Sequence, residues 1–183
     1  LNPETGDEIW SHETANGVGT TPSVTDDRLF FGNHDGEILC LSTDDGAEIW
    51  RRDVDPWIRS SPKHADGTVY VAEYREERNR EQLNGNVYAL DAETGETVWS
   101  TETDDYFYSS PAVAGGVLYI GGLYNGKLYA IDRRNGDVLW HYQAESQIAS
   151  SPCVVGNRIY FGDHEGFVCL DRFGDEVWTA RED

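Results

Sequence analysis

The chain has no methionine, only two lysines (Lys63 and Lys127) and three cysteines (Cys40, Cys153 and Cys169). No apolar run approaches the length of about 18 residues that a membrane-spanning helix needs. Nothing keeps a helical apolar period over three turns, so long amphipathic helices are not expected. Without a Cys-x-x-Cys pair there is no support for a zinc site. Cys153 and Cys169 are expected on strands that are not neighbours, so no disulfide is expected, and all three cysteines read as small buried core residues. No nucleophile elbow, phosphate loop or dinucleotide fingerprint occurs. Basic residues number 14 against 34 acidic ones, a net charge of −20. That field repels nucleic acid and anionic membranes, which are therefore not expected partners.

What the chain does have is a repeat. Ala89-Leu90-Asp91-Ala92-Glu93-Thr94-Gly95-Glu96-Thr97-Val98-Trp99 recurs as Ala130-Ile131-Asp132-Arg133-Arg134-Asn135-Gly136-Asp137-Val138-Leu139-Trp140. Looser copies run from Cys40 to Trp50 and from Cys169 to Trp178, and a beheaded copy, Leu1 to Trp10, opens the chain. That truncated start, with no methionine, predicts a natural N-terminus further upstream, together with any export signal or lipid anchor. Three landmarks stay in phase. Trp10, Trp50, Trp99 and Trp140 are each followed twelve residues later by a proline: Pro22, Pro62, Pro111 and Pro152. Turn glycines fall at 36, 85, 126 and 166 and again at 46, 95, 136 and 174, the second set four residues before its Trp.

Each period reads as four short strands separated by turn signals. In the third, Ser110–Ala114, Val117–Ile120, Leu128–Ile131 and Val138–Tyr142 are the strands. Gly115-Gly116 and Asn135-Gly136 are turns, and Asn125-Gly126 predicts a two-residue hairpin with positive φ at both positions. A repeated four-stranded antiparallel unit of about 40 residues is the signature of a β-propeller blade. The expected division is an orphan outer strand at 1–15 and blades at 16–53, 54–103, 104–143 and 144–183. That makes five outer strands but four inner sets, so the expected whole is part of a seven- or eight-bladed ring, or one of two half-rings.

Ala-x-Asp-x-x-Thr-Gly-x-x-x-Trp resembles the tryptophan-docking motif of the PQQ-repeat, or quinoprotein-like, propellers. Ala89, Asp91, Thr94, Gly95 and Trp99 match it, as do Ala130, Asp132, Gly136 and Trp140. Cys40 and Cys169 depart at the small position, Ser42 replaces Asp, and one residue is missing before Gly174, so the last blade is expected to be joined more loosely. The resemblance implies that Trp10, Trp50, Trp99, Trp140 and Trp178 glue blades together. Each ring would stack between a peptide plane and the first small residue of the motif in a neighbouring blade. It also implies two readings of function. One is a non-catalytic scaffold for protein or peptide binding, like the outer-membrane assembly lipoprotein, in an extracytoplasmic or surface-anchored place and with no cofactor. The other is part of a PQQ-dependent dehydrogenase that oxidises an alcohol or sugar with quinone and calcium. The cofactor pocket of those enzymes uses a vicinal Cys-Cys pair, which this chain lacks.

The spread of Asp and Glu with little Lys, over an intact aromatic pattern, suits a protein folded in molar salt, where the screening length falls to about 3 Å; a haloarchaeal source is expected. In a propeller, the loops from an outer strand to the next inner strand share one face with the hairpins between second and third strands. Those loops are Asp53–Arg59, Thr103–Tyr108, Ala144–Ala149 and Ala15–Gly19. Trp57, Arg59, Tyr106, Tyr108 and Gln147 are the candidate ligand rim, because aromatic-plus-Arg clusters are a common recognition chemistry. Tyr106 and Phe107 have packing as their alternative role. The pairs Asp26-Asp27, Asp44-Asp45 and Asp104-Asp105 sit at turns, where Asp serves local hydrogen bonds. Asn33-His34-Asp35-Gly36 and Asp163-His164-Glu165-Gly166 are hairpin turns without calcium-loop spacing. The second repeat carries a charged insertion, Glu73–Asn84, read as a surface loop or a docking finger.

Overall fold

The structure is a computed structural model, and it describes residues 1–54, 57–74 and 84–181. Four antiparallel sheets of four strands follow one another along the chain, each in sequence order. The first holds β1 (Ser23–Val24), β2 (Arg28–Gly32), β3 (Glu37–Ser42) and β4 (Glu48–Asp53). The second holds β5 (Lys63–Ala65), β6 (Thr68–Ala72), β7 (Gly85–Asp91) and β8 (Thr97–Thr103). The third holds β9 (Ala112–Ala114), β10 (Val117–Gly121), β11 (Lys127–Asp132) and β12 (Val138–Gln143). The fourth holds β13 (Cys153–Val155), β14 (Arg158–Asp163), β15 (Gly166–Asp171) and β16 (Glu176–Arg181). The short inner strands β1, β5, β9 and β13 are neighbours in that order, so the sheets stand side by side as propeller blades. Apolar residues of the second and third strands fill the layers between blades. Phe30, Ile38, Val69, Val71 and Leu90 belong to one such layer, and Tyr70, Ala72, Val87, Leu118 and Ile120 to the next.

The repeated tryptophan is placed by a repeated irregularity. Cys40 pairs with Trp50 but Leu41 pairs with Glu48, which leaves Ile49 as an extra residue on the outer strand. The same bulge follows Ala89, Ala130 and Cys169. Its extra residues Ile49, Val98, Leu139 and Val177 are exposed. A bulge bends and twists its strand locally, and here it sits immediately before each of these tryptophans. The rings of Trp10, Trp50, Trp99 and Trp140 each lie on the turn glycine of the blade that follows. A Cβ on Gly95 would sit 2.7 Å from Trp50, one on Gly136 2.8 Å from Trp99, and one on Gly46 2.5 Å from Trp10. These glycines have φ of 71–81°, where side chains are strained and glycine is not. The indole Nε1 donates to a carbonyl of the same turn: Trp10 to Thr43 at 2.9 Å, Trp50 to Ala92 at 3.0 Å and Trp99 to Arg133 at 2.9 Å. Trp140 rests on Gly174 without such a bond among the described residues, and the missing residue in that turn is the difference.

Four expectations are corrected. The small residue of the motif is not in the neighbouring blade; Cys40, Ala89, Ala130 and Cys169 are the cross-strand partners of their own blade's Trp, and the neighbour supplies the glycine. Residues 1–15 form no strand, since a lone outer strand has no ladder to join, yet Trp10 docks as the others do. Asn125 does not take positive φ: β10 and β11 are joined by a longer loop, and the hairpins with two positive φ values are Asp66-Gly67 between β5 and β6, at 46° and 74°, and Gly115-Gly116 between β9 and β10, at 58° and 84°. Cys40 and Cys169 are buried, but Cys153 is exposed; all three are free thiols. Burial pushes the Cys40 thiol up to about 11.

If the ring-on-glycine joint carries the fold, removing either half is costly. Trp99→Ala should lower the unfolding free energy by about 3–5 kcal/mol. Gly136→Ala should lower it by about 2–5 kcal/mol, from positive φ and from the displaced indole together. Gly6→Ala, at φ 77° with open space beside it, should cost at most the backbone share of about 1–2 kcal/mol. Urea unfolding of the three variants checks this, and equal losses for Gly6→Ala and Gly136→Ala would refute the joint.

Candidate functional site

The outer-to-inner loops do gather with the second-to-third-strand hairpins on one face. One bond recurs in every blade. The amide of His34 donates to the Gly17 carbonyl at 3.0 Å, Tyr74 to Trp57 at 2.8 Å, Leu123 to Tyr106 at 2.7 Å and His164 to Gln147 at 3.1 Å. The hairpin is thus pinned to the loop at the same place four times, and differences between the blades lie in side chains.

At the corner of the second blade, three of the expected rim residues converge. The Arg59 guanidinium carbon lies 4.8 Å from the ring centre of Tyr74, 5.6 Å from Tyr108 and 5.7 Å from Trp57. Trp57 and Tyr74 stack with centroids 6.4 Å apart, Tyr74 meets Tyr108 edge-on at 6.0 Å, and His34 also stacks on Trp57 at 6.4 Å. Tyr74 is buried, while Trp57 is 36% and Tyr108 45% exposed, so the cage opens to solvent along those two rings. A cation over an aromatic face is held by the ring quadrupole, by about 0.5–2 kcal/mol per contact. Arg59 forms no ion pair with a described residue, and its Nε is buried without a hydrogen-bond partner.

The repeat is broken at the same corner. Thr20, Ser109 and Ser150 each bond the carbonyl of a glycine at the end of the second strand (Gly32, Gly121 and Gly162) at 2.8–2.9 Å. In the second blade that glycine is Ala72, and the matching Ser60 hydroxyl is buried without a partner. Elsewhere the glycine leaves room for an isoleucine from the next blade: Ile58 packs on Gly32 and Ile148 on Gly121. The second blade instead meets Phe107, buried against Ala72. The carboxylate of Glu73 is also buried there, bonded to the Asn86 amide and the Tyr88 hydroxyl.

Two rim residues do not join. Tyr106 is buried and meets Tyr124 edge-on at 5.9 Å, so it packs rather than lines the mouth. Gln147 serves a different blade, where its carbonyl holds the His164 amide. Tyr74 and His34 were missed as site residues. The readable signal was their shared register with Leu123 and His164, since the pinning bond brings that position beside the rim. The insertion Glu73–Asn84 falls mainly on residues 75–83, and the loop Asp53–Arg59 includes 55 and 56; both stretches lie outside the described residues. Of the tryptophans, Trp10, Trp50, Trp99 and Trp140 dock, while Trp178 is 45% exposed.

The Asp104-Asp105 pair is structural in different ways. Asp104 accepts from Lys127 Nζ at 2.5 Å and from the Tyr129 hydroxyl at 2.6 Å. The Lys127 bond first, then that of Tyr129, holds its carboxyl below the usual range. Asp105 is buried, and burial raises its carboxyl although the amides of Tyr124, Tyr106 and Asn125 donate to it. Among the described residues no three His, Cys, Asp or Glu side chains converge as a metal-binding set. Cys40 and Cys169, the two buried cysteines, stand in different blades. The described residues therefore do not fit a quinone cofactor held with calcium.

This geometry defines a PQQ-repeat β-propeller. The family model described as outer membrane protein assembly factor BamB matches residues 1–183, and the chain belongs to that family. No curated protein matches it. Among solved structures, BamB from Moraxella catarrhalis aligns with a TM-score of 0.77 at 20% identity, over 94% of this chain and 52% of that one. Quinohemoprotein alcohol dehydrogenase from Comamonas testosteroni aligns with a TM-score of 0.78 at 18% identity, over 94% of this chain and 36% of that one. The computationally designed Ika4 protein aligns with a TM-score of 0.75 at 15% identity, over 91% of this chain and 98% of that one. The chain thus spans about half the length of the BamB chain and about a third of the dehydrogenase. Among the described residues no helix is long and apolar enough to cross a membrane.

The opposite shifts of the two aspartates give opposite pH trends. A lowered carboxyl contributes stability above the unfolded Asp value of about 4, and that contribution is lost as pH falls through the folded value. A raised carboxyl contributes below the unfolded value, and its contribution is lost as pH rises through the folded one. The destabilisation by Asp104→Asn should therefore grow from acid to neutral pH, and that by Asp105→Asn should shrink. Urea midpoints of both variants across that range test the assignment, and parallel trends would contradict it.

Proposed function

We propose that the chain is a non-catalytic propeller scaffold that binds a protein or peptide at the corner of the second blade. The anchor on the partner is a carboxylate, from an acidic side chain or a chain end. The observation that carries this reading is Arg59, set among Trp57, Tyr74 and Tyr108, with Nε buried and unpartnered. A guanidinium fork matches a carboxylate in two parallel bonds, and the two open rings offer apolar faces to the flanking residues. Family membership supports the scaffold role, because the family model carries the name of an assembly factor. By the same likeness we place the chain outside the cytoplasm or anchored at a surface. The dehydrogenase reading rests on shared fold alone.

The net charge of −20 repels an acidic partner at long range. In molar salt the screening length is about 3 Å, so that repulsion vanishes while a desolvated contact pair is weakened far less. The acidic surface and an acidic ligand are therefore compatible in the halophilic setting that the composition suggests.

Binding can be read from the fluorescence of a labelled array of short acidic peptides, each paired with a twin in which Asn or Gln and a terminal amide replace the carboxylates. Carboxylate members should bind and the twins should not. Arg59→Gln should abolish binding, and Trp57→Ala and Tyr108→Ala should each weaken it by tenfold or more, about 1.4 kcal/mol. Binding that survives both Arg59→Gln and Trp57→Ala would defeat the reading. The acidic surface makes a separate forecast: the melting temperature should rise from dilute to molar KCl, and a flat response would remove the halophilic assignment.

A further inference from the structure

The joint between the third and fourth blades lacks polar links that the two joints before it have, and a cavity stands in their place. In each of the first three blades, an amide of the glycine turn donates to the hairpin between the first and second strands. Thr43 bonds the Asp27 carbonyl at 3.1 Å, Ala92 that of Gly67 at 2.9 Å and Arg133 that of Gly116 at 3.1 Å. The matching residue of the fourth blade is Arg172, on the turn that is one residue shorter, and its amide makes no such bond among the described residues. A charged side chain also crosses each of the earlier joints on this face. Arg28 of the first blade donates to the carbonyls of Ala92 and Glu93 in the second at 3.1 and 3.3 Å. Arg133 of the third blade pairs with Asp66 of the second at 2.7 Å. In the third blade the positions of Asp66 and Arg28 hold Gly115 and Val117. Arg172 therefore meets no carboxylate from that hairpin, and it forms no ion pair with a described residue.

The cavity measures about 220 Å³. Val117 and Tyr119 line it from the third blade and Val154 and Ile159 from the fourth, and all four belong to the apolar layer of this joint. Arg172 is the cationic residue of the lining, and its guanidinium carbon lies 4.6 Å from the ring centre of Phe173. Tyr119 is 4% exposed, and its hydroxyl makes no hydrogen bond among the described residues. The matching Tyr70 hydroxyl donates across its own joint to the Arg133 carbonyl at 3.4 Å. A buried hydroxyl left without a partner is costly. Burial holds the Tyr119 hydroxyl above its usual range, with Arg172 acting against the shift, so it stays a neutral donor. Both walls lie inside the array. The turn is exposed in the other blades too, at Asp44, Glu93 and Arg134, so the opening belongs to this joint.

We propose that this cavity binds a small carboxylic acid with an aromatic or branched aliphatic body. The carboxylate accepts two parallel bonds from the Arg172 guanidinium and a third from the Tyr119 hydroxyl. It takes the part that Asp66 plays for Arg133 one joint earlier. The apolar body rests on Val117, Val154 and Ile159. Pockets that hold drug-sized ligands start at about 300 Å³, so the occupant is smaller than those. An inorganic anion satisfies Arg172 but leaves the apolar walls wet, so the body gives selectivity over salt. The cavity lies at the opposite ends of the strands from the Arg59 corner and does not rest on the peptide-binding reading.

Amide NMR of the full chain in molar KCl, titrated separately with benzoate and isovalerate, tests the site. Both acids should give saturable shifts at Gly115, Gly116, Gly156 and Asn157. Acetate, inorganic phosphate and benzyl alcohol should not. Arg172→Gln should weaken benzoate binding by tenfold or more, and Tyr119→Phe should weaken it less. Gly115→Asp is the sharper variant. Asp66 already holds φ 46° at the matching position, and a Cβ on Gly115 meets nothing within 4 Å. The new carboxylate should pair with Arg172 and exclude benzoate, while Gly115→Asn should leave its affinity within about twofold. Urea midpoints confirm that the variants fold. Absence of saturable shifts with both acids overturns the proposal. So does benzyl alcohol that binds as well as benzoate, or benzoate binding indifferent to Arg172→Gln and Gly115→Asp. Tighter binding of a tetrapeptide ending in Leu than of either acid overturns a free acid as the occupant.

Discussion

The arrangement of this molecule hangs on one contact, an indole lying flat on a glycine of the next blade. Its demands run through the sequence. The glycine must accept positive φ and must lack a Cβ, since the ring occupies that space. The residue paired with the Trp must be small: Cys40, Ala89, Ala130 and Cys169. The outer strand must bulge just before the ring, which exposes the bulged residue and leaves an apolar side chain such as Val98 facing water. Because each blade touches only its neighbours, stability is a sum of blade and joint terms along the array. A loose joint is then a local matter. Trp140, whose turn has lost a residue, keeps its stack without the hydrogen bond.

Most of this was legible because it repeats. A single Trp or Gly carries little information, but the same spacing several times over gives strands, turns and joints together, and the strand limits in the third blade match the reading to within a residue or two. What was misread depended on geometry that spacing does not encode. Asn125-Gly126 has hairpin composition, yet the buried Asp105 carboxylate takes the amides of Tyr124 and Asn125 and holds a wider loop. Period alone also cannot say which side of the ring is met by the same blade and which by the neighbour. Cys153 falls in a strand and is still exposed, as Lys63 is at the same position of the second blade: the residue after the repeated proline faces solvent in both.

The candidate site was legible in part for the opposite reason: it is where the repeat stops. Glycine gives way to Ala72 at the end of β6, Ser60 loses the bond that Thr20, Ser109 and Ser150 keep, and Arg59 fills a position that holds Gly19, Tyr108 and Ala149 elsewhere. Listing rim residues by loop found Trp57, Arg59 and Tyr108. It also included Tyr106 and Gln147, because rim loops supply both packing and exposed residues and sequence does not separate them. Tyr74 was overlooked at the head of a charged insertion, although its counterpart in every other blade is pinned to the same loop. In a repeat protein, structure follows from what the copies share and specificity from where one copy departs.

A directional joint has a consequence for the ends of the array. An isolated sheet can finish in a polar edge, and a solenoid can finish in a capping repeat with a polar outer face. The fourth blade does neither: Trp178, Val177, Phe167 and Phe173 are all exposed, and an aspartate oxygen and a guanidinium nitrogen at Asp163 and Arg181 are buried without partners. At the other flank, Val18 and Val24 are exposed in the same way, but the glycine seat is taken. The covering of Gly46 by Trp10 shows how one half of a joint is met: by a short segment without a strand of its own, held by one ring and by hydrogen bonds from Trp10 Nε1 to the Thr43 carbonyl and from the His12 ring to the Gly46 carbonyl.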